Sequence, residues 1–254
     1  MNVMLSMALM VARRRAGDEL SGIPFRLRLQ THRGDGLPFG LYQNTACTIP
    51  ATADGHAVAA WRDELSGSGL VAIQSVSTKR PILRIPSGNP VLEYDGVDDF
   101  LSVVLPRPFP FSLATGAKSN TTAFGGMAGY GSGALAIGNA FAGFAPSSAF
   151  WLWGPDTGST YGNPGNLDTN WHVHQALVEG GATSEWSMIL DGITGGAPGV
   201  TGTPVSDVGT TLCIGQDGNG AHWGGRMSSY LQSGGIWDSG AVSQIQLYLD
   251  SLLP

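Results

Sequence analysis

The chain alternates apolar and polar positions in short runs broken by Gly, Pro, Asn and Asp, the pattern of strands with one face turned inward. Phe25-Arg26-Leu27-Arg28-Leu29 is the clearest case: Phe25, Leu27 and Leu29 are expected to face the core, and Arg26 and Arg28 to face out. Further strands are expected over residues 70–74, 150–153, 171–178, 186–190, 211–215, 223–227 and 229–237. Turns are expected at Gly34-Asp35-Gly36, Asp54-Gly55, Gly180-Gly181 and Asp191-Gly192. Two segments break the pattern. Met1 to Arg15 carries helix formers with apolar residues near i, i+4 spacing, and reads either as a helix that needs a partner or as an untied end. After Asp238 or Ser239, a helix cap, Val242, Ile245, Leu249 and Leu252 recur at three and four residues.

Composition agrees with strands and tight turns. Of 254 residues, 38 are Gly and 15 Pro, and only 13% are charged. A net charge of −6 argues against broad attraction to nucleic acid, and Arg13-Arg14-Arg15 is the one dense basic cluster. No run of about 18 apolar residues predicts a membrane-spanning helix. The first residues place their charges after the apolar run, unlike a secretion signal, and are read as part of the mature protein. Cys47 and Cys213 sit among small apolar residues and read as two buried free thiols, with pairing left open.

The stretch from Trp61 to Val103 carries the strongest family signal: a Trp, a Gly/Ser loop, a short strand, Lys79-Arg80-Pro81, then a strand ending in Tyr94-Asp95-Gly96-Val97-Asp98-Asp99-Phe100-Leu101. It resembles the opening half of the concanavalin A-like lectin/glucanase sandwiches, in their laminin G-like form common in bacteria and phages. The tract from Leu41 to Asp63, Trp171-His172 followed by Leu190-Asp191-Gly192, and the closing strand and helix are similar to the same family, so the resemblance spans about residues 37–253. It implies an all-β, antiparallel two-sheet jelly-roll sandwich of about 12–14 strands over residues 21–254, with a short C-terminal helix. An N-terminal arm, residues 1–20, would serve docking or oligomerisation through Met4, Leu5, Leu9, Arg13, Arg14 and Arg15.

The resemblance also implies a setting: a non-enzymatic phage virion protein (tail fibre, head fibre or capsid decoration), assembled in the host cytoplasm and exposed on the particle surface. Its expected partners are other virion proteins, further copies of itself, by fibre analogy a trimer, and a host surface glycan. The alternatives are a stand-alone carbohydrate-binding protein and a glycan hydrolase.

Four aromatics are candidates for gripping sugar: Trp151 and Trp153, two apart beside a polar loop, with Tyr161 and Trp223 as possible additions. The alternative for the two strand tryptophans is packing in the core. Glu93-x-Asp95-x-x-Asp98 departs from the glucanase pattern Glu-x-Asp-x-x-Glu: its third acid is shorter, and Gly96 interrupts the strand. No catalytic residue is therefore assigned, and the aspartates are expected to bond nearby backbone N–H groups. No metal site or cofactor is assigned. The acidic loops leave calcium open, since neither supplies the six to eight oxygens calcium prefers. His172 and His174 share a strand face, a spacing open to zinc, but sequence places no third ligand beside them. Arg33-Gly34-Asp35, an integrin-type tripeptide, reads as a turn.

Overall fold

The computed structural model describes residues 20–65, 67–106, 110–120, 125–130, 140–145, 149–153, 169–178, 186–195, 211–216 and 221–254. The arm candidates Met4, Leu5, Leu9, Arg13, Arg14 and Arg15 lie outside them, as do Tyr161 and Gly180-Gly181.

In chain order the strands are β1 (Phe25–Gln30), β2 (Leu41–Tyr42), β3 (Ala60–Arg62), β4 (Val71–Ile73), β5 (Ile82–Arg84), β6 (Val91–Asp95), β7 (Leu101–Val104), β8 (Phe111–Ser119) and β9 (Gly125–Tyr130). There follow β10 (Ala140–Ala145), β11 (Ala149–Trp153), β12 (His172–Val178), β13 (Trp186–Leu190), β14 (Ile193–Gly195), β15 (Thr211–Ile214), β16 (Gly224–Met227) and β17 (Ser229–Ser233), then helix α1 (Ser239–Asp250). A nine-stranded sheet runs β14-β13-β12-β8-β16-β6-β5, with β17 pairing both β8 and β1, and an eight-stranded sheet runs β11-β10-β9-β15-β7-β4-β3-β2. All named pairings are antiparallel. The two-sheet sandwich with one C-terminal helix is as expected; there are more strands than expected because several are only two or three residues long.

The core lies between the sheets. Leu27, Leu29, Leu83, Leu92, Tyr94, Ala117 and Met227 from the nine-stranded sheet meet Trp61, Leu101, Val103, Met127, Leu212 and Ile214 from the other. Trp61 is buried and donates its indole N–H to Gln30 O at 3.0 Å. Tyr130 and Gln232 join the sheets through a buried hydrogen bond of 2.9 Å.

A second apolar layer covers part of the outer face of the nine-stranded sheet. Asp238 caps α1 by accepting from Ala241 N at 2.8 Å, and Ile245, Tyr248, Leu249 and Leu252 pack on Ala114, Val173, Leu231 and Trp237. Buried Gln175, on the same face, donates to Val242 O at 3.2 Å. Leu20 is buried in this layer too.

That layer corrects two expectations for β1. Arg28 stands opposite Leu231 on the outer face, as alternation requires, yet it is buried because α1 lies over it. Phe25 leaves the Leu27/Leu29 face: a register shift between Phe25 and Leu27 turns it to the helix side, against Trp237 with ring centroids 5.9 Å apart. No disulfide joins the two cysteines: Cys213 is buried, and Cys47 is only half-buried, in a loop where its φ is 55°.

Candidate functional site

Trp223 is withdrawn from the sugar-binding set. It is 1% exposed and belongs to the core between the sheets, because the chain entering β16 turns its indole inward over Gly225. Trp151 and Trp153 lie on β11, at one end of the eight-stranded sheet, where their backbones pair with Gly143 and Phe141; their side chains lie outside the described residues.

The acidic motif folds into a turn. β6 ends at Asp95, and Gly96 takes a φ of +78° that side chains rarely adopt. Asp95 Oδ1 accepts from the backbone N–H of Val97 at 2.8 Å, Asp98 at 3.1 Å and Asp99 at 3.3 Å, and Asp99 Oδ2 accepts from Asp95 N at 3.1 Å. Burial alone would raise the Asp95 pKa, but the three donors outweigh it and hold the carboxyl below its ordinary value. Asp99 moves the other way: burial, then the Asp95 and Asp98 charges, raise it to about 7. Asp95, Asp98 and Asp99 each offer an oxygen within 4.8 Å of the others. That is half of what calcium needs at best, and Asp95 Oδ1 is already committed to its own turn.

Glu93 does not act with this turn. Burial opposes its ionisation, but Arg84 and Arg226 outweigh burial and hold its carboxyl below the ordinary value. Arg84 Nε donates to Glu93 Oε2, and Arg226 Nη2 lies 3.3 Å from Oε1. Asp54 Oδ2 lies 3.7 Å from Arg84. The three acids of the glucanase-like motif are thus divided between an arginine pair and a turn.

His172 and His174 share the inner face of β12. His172 Nδ1 is 2.6 Å from Asp191 Oδ2, whose other oxygen accepts from Val173 N at 2.9 Å. His174 is fully buried, and burial followed by the charge of His172 lowers its pKa to about 3. Among the described residues no cluster with three ligands forms around this pair. Arg33 is likewise engaged: its guanidinium stacks 3.6 Å from the Phe39 ring centroid and bonds Glu64, while Asp35 caps Leu37 N.

The open surface sequence reasoning missed lies on the nine-stranded sheet beyond α1. Register places Ile82, Glu93, Arg226 and Lys118 in one row on the outer face. Continuing the β8–β12 pairing by one residue brings Trp171 opposite Lys118. All five are half-exposed. The neighbouring row is covered: Leu253 lies over Gly116, and Val91 is fully buried. On the other side Gly96 packs against Gly224. Alternation within β8 marks Lys118 as outward, but only cross-strand register, set by folding, gathers residues from four distant segments.

No protein-family model matches the sequence, and no curated protein matches it. Solved structures do. A sialidase of Trypanosoma rangeli matches 98% of this chain and 39% of its own, at 12% identity and a TM-score of 0.59. The same sialidase in complex with sialic acid matches 99% of this chain and 40% of its own, at 13% identity and a TM-score of 0.57. The heptameric SAP-like pentraxin of Limulus polyphemus matches 61% of this chain and 80% of its own, at 13% identity and a TM-score of 0.50. The likeness shows the fold alone: an antiparallel two-sheet jelly-roll sandwich. This chain spans about two fifths of the sialidases it matches. The expectation of a non-enzymatic protein is corrected here, since the fold is shared with parts of chains named as enzymes.

Proposed function

We propose that this protein is a lectin-like component of a phage virion, in a tail fibre, head fibre or capsid decoration, whose sandwich holds a host surface glycan. The observation that carries the glycan reading is the fold: a jelly-roll sandwich matched over nearly its whole length by part of a sialidase, which in one of its structures is in complex with sialic acid. The half-exposed row of Trp171, Lys118, Arg226 and Glu93 adds the aromatic and polar groups that sugar recognition uses.

The virion setting draws on the resemblance of residues 61–103 and of the closing strand and helix to phage proteins. In this reading the arm, residues 1–20, docks the sandwich onto other virion proteins or joins copies into a trimer.

Two measurements test it. The full chain, screened on an array of bacterial surface polysaccharides, is expected to retain a subset; retention of none overturns the glycan reading. Light scattering with and without residues 1–20 is expected to show a discrete oligomer that falls to monomer on truncation. A monomer in both forms overturns oligomerisation through the arm.

A further inference from the structure

The open row holds two cationic side chains, Lys118 and Arg226, against one carboxylate, Glu93. Arg84, Arg226, Glu93 and Asp54 form a closed set of two cations and two carboxylates. Lys118 stands outside it: among the described residues no carboxylate lies within ion-pair distance of its ammonium, although the protein as a whole carries a net charge of −6. Arg226, directly opposite Lys118, reaches Glu93 through Nη2, while its Nε is covered and has no hydrogen-bond partner among the described residues. Cross-strand neighbours on one face bring their Cβ atoms to about 5 Å. The two cationic stems therefore rise side by side, with Trp171 next in the row.

The surroundings restrict what can settle there. Leu253, lying over Gly116 in the neighbouring row, closes the α1 side. On the far side Asp95 stands two residues beyond Glu93, roughly 7 Å along the strand, which keeps anions toward the Lys118 end. The flank at Gly224 is closed by the Gly96 backbone, which packs directly on it, so the row is open between that flank and Leu253.

We propose that this row is a subsite for a carboxylated sugar, its carboxylate held between Lys118 and Arg226 and its ring laid against Trp171. The inference rests on the glycan-binding reading above and names the ligand class and the residues. The chemistry is the same for a sialic acid and for a uronic acid: a carboxylate on a ring whose C–H face meets an indole.

The test is titration of the full chain, followed by ligand-observed NMR, with N-acetylneuraminic acid and tri-galacturonate as acidic probes and lactose and cellotriose as neutral ones. At least one acidic probe is expected to bind, and the neutral ones at least tenfold more weakly. Lys118→Met is expected to lower acidic binding about tenfold or more, Lys118→Arg to retain most of it, and Trp171→Ala to abolish it. Val104→Ala, an exposed residue of the other sheet, is expected to change nothing. Thermal unfolding of each variant establishes that it is folded; should Trp171→Ala fail to fold, the Lys118 pair decides. Acidic binding that survives Lys118→Met, or equal binding of neutral sugars, overturns the subsite while leaving glycan binding intact. Binding of none of the four probes overturns the subsite. If the polysaccharide array is blank as well, the glycan reading falls with it.

Discussion

Arg28 and Glu64 are paired beneath the C-terminal helix: Nε lies 3.1 Å from Oε2, with side chains 10% and 6% exposed. Arg33 approaches the same carboxylate at 2.9 Å, and the Arg28 guanidinium lies 5.5 Å from the Tyr248 ring centroid. The pair fastens β1 to the segment after β3 and gives α1 a polar floor. Glu64→Leu strands Arg28 in that floor and is expected to lower stability by about 3–5 kcal/mol in urea unfolding. Replacing both residues with apolar ones of similar size is expected to recover much of the loss, because no unpaired charge remains.

Trp223 and Gly225 are interdependent. A Cβ on Gly225 would stand 2.6 Å from Trp223 Cε2 and would also collide with the Lys118 carbonyl. Gly225→Ala is expected to destabilise by about 1–3 kcal/mol through overpacking. Trp223→Ala, which empties the same site, is expected to cost about 3–5 kcal/mol while leaving glycan affinity unchanged in the folded fraction. Loss of glycan affinity without loss of stability would return Trp223 to the binding set.

Asp99 opposes stability at neutral pH. Its folded pKa, raised to about 7 by burial and by the Asp95 and Asp98 charges, lies above the ordinary 3.8. Its stabilising contribution is complete below pH 3.8 and is lost as pH rises toward 7. Asp99→Asn does not ionise. Relative to the native protein it is expected to gain stability between about pH 4 and pH 7, by a few kcal/mol in all, and to show no further gain above that. Chemical unfolding at several pH values checks this.

His174 acts at the acid end. Its folded pKa, lowered to about 3 by burial and by His172, means the unfolded chain takes up a proton first. Stability is therefore expected to fall as pH drops from about 6.5 toward 3. His174→Gln removes that slope, so the stability of the native protein relative to the variant is expected to fall as pH drops from about 6.5 toward 3, whatever their difference at pH 8.

Much of the architecture was legible in residue order because its causes are local. The strand at β12, the Asp191-Gly192 turn and the repeat of Ile245 and Leu249 follow from the two- and 3.6-residue periods of the backbone and from local turn chemistry. The Asp95 turn followed too, since its hydrogen bonds span four residues or fewer. Phe25 was misplaced because one register shift, set by pairing with β17, reverses a side chain's face.

Residue order settles which positions turn to one side of a strand and which to the other. What lies on each side is settled by the packing of the whole chain. Arg28 points outward as its position requires, and becomes buried because a helix 220 residues later places Tyr248 over it. Trp171, Lys118, Arg226 and Glu93 become one surface because antiparallel registers align strands far apart in the chain. Periodicity is a property of the local backbone, whereas burial and proximity are properties of the whole packed chain.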